Sequence, residues 1–581
     1  MSMLMLVSSG STMTMDPQQL HALVNAGLTA HKAGQYDQAL ASFDEILTID
    51  PGQHSAQNWK GITFAVQGKF DQALVAFEAA QVADPENPGY MGNIGGVLVA
   101  MNRHEDACPW LLKSIERRPM EPSAHENFAL AMFRMGQIAP AIKAYEAALK
   151  LNPLSTKALQ NMIFLLDYLP DVTLAQALDV RRRYHYVHGA PLVMDHQPHT
   201  NQRDPDRQLR VGYVSGDFCM HSAAFCFCPV LFGHDRAGSP IKTFLYSSTP
   251  PGNDMVRDAI AKRTGLIMRD LGTADDLAMI AKIREDEIDI LVDLAGYSRL
   301  NRVGVFLRRP APIQATGWGH AQGMGLDTMD YLFADEWTIP ASHAPYYREQ
   351  IVRLPCIIAY GAPEYAHELP SCPQTMNGYI TFGSLNRMLK LNSAVLDMWA
   401  GVLARVPESR LLIKDRDFDR SQNREWVTEG LVKRGVESYR IAFEGQTTHV
   451  EHLLAYGRVD IVLDTWPHGG GLTGMEGAFM GCPPVTLVGE KVPSRLGLSL
   501  LQCLERSATN PGIPFVEWFA ADTPEAYIDK AVAWAERKED QVRVRQQMRA
   551  IMVKAAPMQH GEYVNAVEAA YRMMWRTWGQ S

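Results

Sequence analysis

Residues 54–87 read HSAQNWKGITFAVQGKFDQALVAFEAAQVADPEN, and the same 34-residue pattern precedes them once, at 20–53, and follows them twice, at 88–121 and 122–155. In register, Gly27, Gly61, Gly95 and Ala129 share a small column, Gly34, Gly68, Asn102 and Gly136 a turn column, and Ala39, Ala73, Ala107 and Ala141 a second small column. Each copy closes on a proline, at Pro51, Pro85, Pro119 and Pro153. Small residues let two helices approach closely, Gly or Asn accepts the left-handed backbone between them, and proline ends the second helix before the next copy begins. Four columns held in phase four times predict a stack of helical hairpins.

This pattern resembles the tetratricopeptide repeat. Residues 156–190 still read as helix but lose the glycine and proline columns, as expected of a capping repeat. The sequence therefore predicts a repeat superhelix with capping helices over 16–190. The polar, aperiodic stretch PLVMDHQPHTNQRDPDR at 191–207 suits a linker.

Beyond it the period changes. Short β-branched runs (LRVGYVS 209–215, KTFLYSS 242–248, IDILVDL 288–294, PIQATGW 312–318, MDYLFAD 329–335) alternate with amphipathic stretches such as DDLAMIAKIRED at 275–286. A second series starts near Gly378 with GYITFGS, RLLIKD, RIAFEG, VDIVLDT and PPVTLVG. Such alternation predicts α/β structure with parallel sheets, here as two consecutive doubly wound lobes, at 208–375 and 376–581, the second ending in helices that pack across both. Ligands of open parallel sheets bind at the carboxyl ends of the strands, so the cleft between the lobes is the expected site.

Composition narrows the partners. A formal charge of −9 over 581 residues offers no basic field for nucleic acid or an anionic membrane. No stretch is apolar enough to span a bilayer and the first fifteen residues lack a secretory pattern, so a cytoplasmic location is expected. Eight cysteines show no paired CxxC spacing and read as core thiols, Cys226 and Cys228 included.

The stretch DTWPHGGGLTGME at 464–476 follows the buried run IVL and opens a helix. Amides at a helix start, clear of side chains, suit a phosphate or pyrophosphate; plain turn glycines are the alternative. Glu476, one turn into that helix, suits ribose hydroxyls or is only an N-terminal helix charge. Lys390, in FGSLNRMLKLN at 382–392, suits a leaving diphosphate or is only a solvated lysine. His452 suits a nucleobase or is a surface histidine, and His221, in SGDFCMHSAAF at 215–225, suits a base or hydrogen-bond donor or is a core or capping histidine. The acidic run DRDFD at 415–419 is interleaved by arginine and reads as a solvated loop, not a metal site.

Together these segments resemble glycosyltransferase family 41, the protein O-linked N-acetylglucosaminyltransferases and related Spindly-type O-fucosyltransferases. Four blocks carry the resemblance: RVGYVSGDFCMHSAAF at 210–225, RPAPIQATGWGHAQGMGLDTMDYLFAD at 309–335, LNRMLKLNSAVLDMWAGVLARVPESRL at 385–411 and DIVLDTWPHGGGLTGMEGAFMGCPPVTLVGEKVPSRLGLSLL at 460–501. The resemblance implies a GT-B fold of two Rossmann-like lobes, the nucleotide sugar held mainly by the second. It gives His221 the place of the active-site histidine and Lys390 that of the lysine gripping the diphosphate. His452 falls at the uracil, Glu476 at the ribose, and Gly470, Gly471, Leu472 and Thr473 at the start of the phosphate-binding helix; Asn386 and His320 are further donor-site candidates. Two departures stand out. Only Thr473 offers a hydroxyl at the helix start, and Gly319-His320-Ala321 stands where members commonly read Gly-Tyr-Pro. The large insert between the catalytic lobes of animal enzymes is absent.

The expected activity is inverting, metal-independent and cofactor-free transfer of a sugar from a nucleotide donor, foremost UDP-N-acetylglucosamine, to Ser or Thr of a protein acceptor recruited by the repeats. Helix terminus and lysine supply the charge that a metal otherwise would. His221 either takes the acceptor proton or only positions the acceptor. Two alternatives stand beside this reading: GDP-fucose or an unusual bacterial nucleotide sugar as donor, with flagellin or another surface protein as acceptor, and a non-catalytic repeat scaffold.

Overall fold

The computed structural model describes residues 16–249, 252, 254–320, 322–363, 365, 369, 371–508 and 512–580. The first fifteen residues, read above for a leader, and Ala321 of the Gly319–Ala321 loop lie outside them. The chain divides into two compact units between Ala158 and Leu159.

The first unit holds the four hairpins: α1 (Pro17–Lys32) with α2 (Tyr36–Ile49), α3 (His54–Val66) with α4 (Phe70–Ala83), α5 (Pro88–Ala100) with α6 (His104–Arg117), and α7 (Pro122–Arg134) with α8 (Ile138–Leu151). The sequence columns have direct physical causes. A Cβ on Gly27 or Gly61 would stand 2.6 Å from the ring of Phe43 or Phe77, and one on Gly95 2.4 Å from Leu111. The turn column is left-handed throughout, with φ of +75° at Gly34 and Gly68, +59° at Asn102 and +78° at Gly136. Ala39, Ala73, Ala107 and Ala141 have no exposed surface, so any larger side chain would separate the helices.

The second unit contains two parallel sheets. The first has seven strands, β1 (Leu209–Ser215), β2 (Ile241–Ser247), β3 (Leu266–Asp270), β4 (Ile290–Asp293), β5 (Ile313–Thr316), β6 (Tyr331–Ala334) and β7 (Gln350–Arg353), in the order 3-2-1-4-5-6-7. The second has six, β8 (Thr381–Ser384), β9 (Arg410–Lys414), β10 (Ile441–Glu444), β11 (Ile461–Leu463), β12 (Pro484–Leu487) and β13 (Ala520–Ala521), in the order 10-9-8-11-12-13. All strands run parallel, and in each sheet the strand order turns back once, between β1 and β4 and between β8 and β11, which opens a crevice at the carboxyl ends of those strands. Strands β3, β7 and β13 are absent from the sequence reading. They lie at sheet edges, and β7 buries only Val352 of its four residues, without a long β-branched run.

Two segments differ from their expected placement. Residues 159–190, read as a cap of the repeats, fall in the second compact unit, where the buried carboxylate of Asp167 meets Arg181 and His320. The expected linker is anchored: Asn201 and Arg207 donate to the fully buried carboxylate of Asp289, which needs such partners away from water. The last helix, His560–Gln580, returns to the first lobe, where Tyr571 and Tyr213 join hydroxyls at 2.9 Å, His234 donates to Glu568 at 2.9 Å, and Trp318 donates to Tyr563 at 2.9 Å.

Candidate nucleotide-sugar site

The reversal of the second sheet gathers most of the sequence candidates. Strand β8 is buried along its whole length and delivers Asn386 and Lys390 just past its end; β11, equally buried, delivers the glycine loop and the helix Leu472–Phe479. Lys390 is buried, and its Nζ donates to Asn386 Oδ1 and to the Gly469 carbonyl, both at 2.8 Å. Thr473 Oγ1 donates to the same Asn386 oxygen at 3.0 Å, so ammonium and hydroxyl converge on one amide. Burial, against the opposing pull of Asp464 and Asp415 and with a smaller push from Arg387, leaves the Lys390 pKa lowered to about 8.

Asp464, which the sequence reading did not single out, is the hub of the loop. Its buried carboxylate accepts from Gly470 N at 2.7 Å, Thr465 N at 2.9 Å, Thr486 Oγ1 at 2.9 Å and Asn386 Nδ2 at 3.3 Å. Burial raises its pKa, against Lys390 and these donors. An aspartate directly after a buried strand was the available signal, and β4 ends on its counterpart, Asp293, which accepts from Gly296 N at 2.8 Å and Thr316 Oγ1 at 2.8 Å. Two of the three glycines are sterically required: a Cβ on Gly470 would lie 2.6 Å from Thr473 Oγ1, and one on Gly469 2.8 Å from Asp464. Gly471 stands at the N-cap, and no side chain caps the helix that Leu472 begins.

Glu476 is buried on the same helix. It accepts from His449 Nε2 at 2.7 Å and faces His452 Nε2 at 3.5 Å. Burial alone would raise its pKa, but the two imidazoles outweigh it and hold the carboxyl below its ordinary value. His449, absent from the sequence reading, precedes His452 by three residues on one helix face, bonds the Tyr365 hydroxyl at 2.6 Å, and meets the ring of Phe225 from the first lobe at 5.2 Å.

His221 lies in the loop after β1, at the reversal of the first sheet, with Nδ1 3.5 Å from Asp217 Oδ2. Burial lowers its pKa, Asp217 opposes, and Arg387, Arg299 and Arg416 add to the lowering, leaving the imidazole neutral at pH 7. Two of those arginines, Arg387 and Arg416, belong to the second lobe, so His221 feels its charge across the crevice. His320 is not joined to the lysine cluster by a hydrogen bond; its Nε2 is 3.5 Å from Asp167 Oδ2 and its ring stacks on Phe164 at 5.8 Å. The DRDFD run is not simply a solvated loop: Asp415 is partly buried and accepts from Met388 N at 2.8 Å, fixing the turn that carries Lys390. Among the described residues, no group of three or more His, Cys, Asp or Glu could hold a metal ion. Cys226 and Cys228 are buried free thiols, held up to about 12 by burial.

Two parallel doubly wound lobes, a last helix crossing back to the first, and a glycine loop opening a helix at the second sheet's reversal define the GT-B class of glycosyltransferase. Residues 183–365 and 372–566 match the glycosyl transferase family 41 profile, and 20–53, 60–122 and 122–153 match tetratricopeptide repeat profiles. The chain belongs to glycosyl transferase family 41. It is 30% identical over 433 residues to a probable UDP-N-acetylglucosamine--peptide N-acetylglucosaminyltransferase SPINDLY of Petunia hybrida, covering 74% of this chain and 45% of that protein. A probable enzyme of the same description, SEC of Arabidopsis thaliana, is 28% identical, covering 64% of this chain and 37% of that one. The chain thus spans less than half the length of these curated relatives. A solved O-GlcNAc transferase mutant of Thermobaculum terrenum superposes with a TM-score of 0.72 at 25% identity, covering 98% of this chain and 99% of that one.

Proposed function

We propose that this protein transfers N-acetylglucosamine from UDP-N-acetylglucosamine to Ser or Thr hydroxyls of a protein acceptor recruited by the repeats. The observation that carries the reading is the convergence of Lys390 and Thr473 on Asn386 at an uncapped helix start. As the bond from sugar to diphosphate breaks, negative charge grows on the departing UDP. The Lys390 ammonium has three N–H groups and spends two within the protein, leaving one for that charge beside the helix amides. Glu476, steadied by His449 and His452, takes the ribose, and His452 takes the uracil. His221, neutral at pH 7, accepts the hydroxyl proton or orients the acceptor. The names of the relatives support the donor and the peptide acceptor, and the tetratricopeptide hairpins support recruitment.

The donor is tested with a panel of UDP-N-acetylglucosamine, GDP-fucose and CMP-sugars, measuring nucleotide release and sugar incorporation into protein. Release of UDP with labelled protein is expected. Turnover of GDP-fucose or a CMP-sugar in preference would replace the donor, and no turnover by folded protein would leave the scaffold reading.

A further inference from the structure

The turn Leu166–Tyr168, which precedes the helix Leu174–Tyr184, contacts both lobes. From the second lobe, Lys491 Nζ donates to the Leu166 carbonyl at 2.9 Å and the Leu169 carbonyl at 2.6 Å. Asp167 is buried between Arg181 Nη2 at 3.4 Å and, from the first lobe, His320 Nε2 at 3.5 Å. The ring of Tyr168 stacks on the ring of His468, 4.6 Å between centroids and 21° between planes. His468 opens the glycine loop: its carbonyl accepts from Thr465 Oγ1 at 2.7 Å, and the next carbonyl, Gly469, accepts from Lys390 Nζ at 2.8 Å.

A buried stack serves packing by default, but this one touches the residue preceding the carbonyl that holds the ammonium. A glycine carbonyl has few side-chain constraints of its own, so its direction depends on what fixes its neighbours. Asp464 holds the Gly470 N–H and the Pro493 carbonyl holds the Gly469 N–H, while Tyr168 holds the His468 ring, whose Nδ1 lies 3.2 Å from the Gly469 carbonyl. We propose that Tyr168 is a positioning residue for Lys390: by stacking on His468 it fixes the Gly469 carbonyl, while Asp167 and Lys491 lock its turn against both lobes. This deepens, and rests on, the reading of Lys390 as the group that meets the diphosphate.

The full-length protein is compared with Tyr168→Leu and Tyr168→Phe by two readouts. One is the titration of Lys390, followed by competitive amine labelling and mass spectrometry across pH; the other is kcat and donor KM for UDP-N-acetylglucosamine turnover. Loss of the stack admits water to the loop, and a hydrated ammonium titrates higher, so Lys390 in Tyr168→Leu is expected to titrate above about 8. Its kcat is expected to fall about tenfold with donor KM within about twofold, as for a misplaced transition-state contact. Tyr168→Phe keeps the ring and is expected to match wild type in both. An unchanged Lys390 titration and kcat in Tyr168→Leu, or equal damage in both variants, would overturn the proposal. Should Tyr168→Leu fail to fold, as judged by its melting curve, Tyr168→Met, which fills more of the ring's volume but cannot stack on His468, takes its place. If wild type turns over no nucleotide sugar yet Tyr168→Leu moves the Lys390 titration, the transfer reading falls and the positioning role stands.

Discussion

Lys390 illustrates how burial turns a common residue into a specific one. A solvated lysine holds its proton to pH 10 or above; here the lost hydration brings the pKa to about 8, and Asp464 keeps it from falling further. The ammonium is thus mostly present at pH 7 yet weakly solvated, and a diphosphate would meet it at little desolvation cost. The sign of the pH dependence follows: the charged form persists below about 8 and is lost above it, so kcat/KM is expected to fall roughly tenfold per pH unit beyond about 8. Lys390→Ala is expected to lower kcat by about 10²–10³-fold, the scale of removing one preorganised charge partner, and to abolish that alkaline limb. A steady-state pH–rate profile of both proteins checks this, and an unchanged alkaline limb in the variant would remove Lys390 from the charge-stabilising role.

At the level of the element, the start of the helix Leu472–Phe479 is left open because the loop before it is built of glycines and no side chain caps it. Gly470→Ala would place a Cβ 2.6 Å from Thr473 Oγ1 and 3.1 Å from Gly474 N, so the hydroxyl or the helix start must shift. The expected result is a donor affinity weakened about tenfold, about 1.4 kcal/mol, with a melting temperature within a few degrees of wild type. Calorimetric titration with UDP and thermal unfolding measure the two effects; unaltered UDP affinity would show that the helix start does not meet the phosphates. The glycine pattern was legible in the sequence because glycine is the residue whose absence of side chain is itself the message. The hub Asp464 was harder to see, because an aspartate at a strand end is informative only once Gly470, Thr486 and Asn386 are known to surround it.

For the whole molecule, the closing helix is the decisive element. Tyr571 has no exposed surface and lies on a helix some 200 residues beyond the lobe it joins, bonded to Tyr213 and packed edge-on to Phe333. Tyr571→Ala is expected to cost about 3–5 kcal/mol, as for other large buried aromatics, seen as a lowered denaturation midpoint. A loss below about 1 kcal/mol would show that the helix does not hold the lobes together.

The sequence by itself determined the repeats and the two α/β lobes, and it named most of the residues that the fold gathers at the second sheet's reversal. Each is written in local terms, as a helical period, a β-branched run, or a glycine that tolerates no substitute. Only the tertiary structure decided that Lys390 and Thr473 share Asn386, that His320 turns toward Asp167, that the expected linker is pinned by Asp289, and that Tyr571 of the last helix meets Tyr213. Those outcomes come from buried polar groups seeking partners far away in the chain. A single sequence names the groups that must be satisfied, and only the fold says by whom.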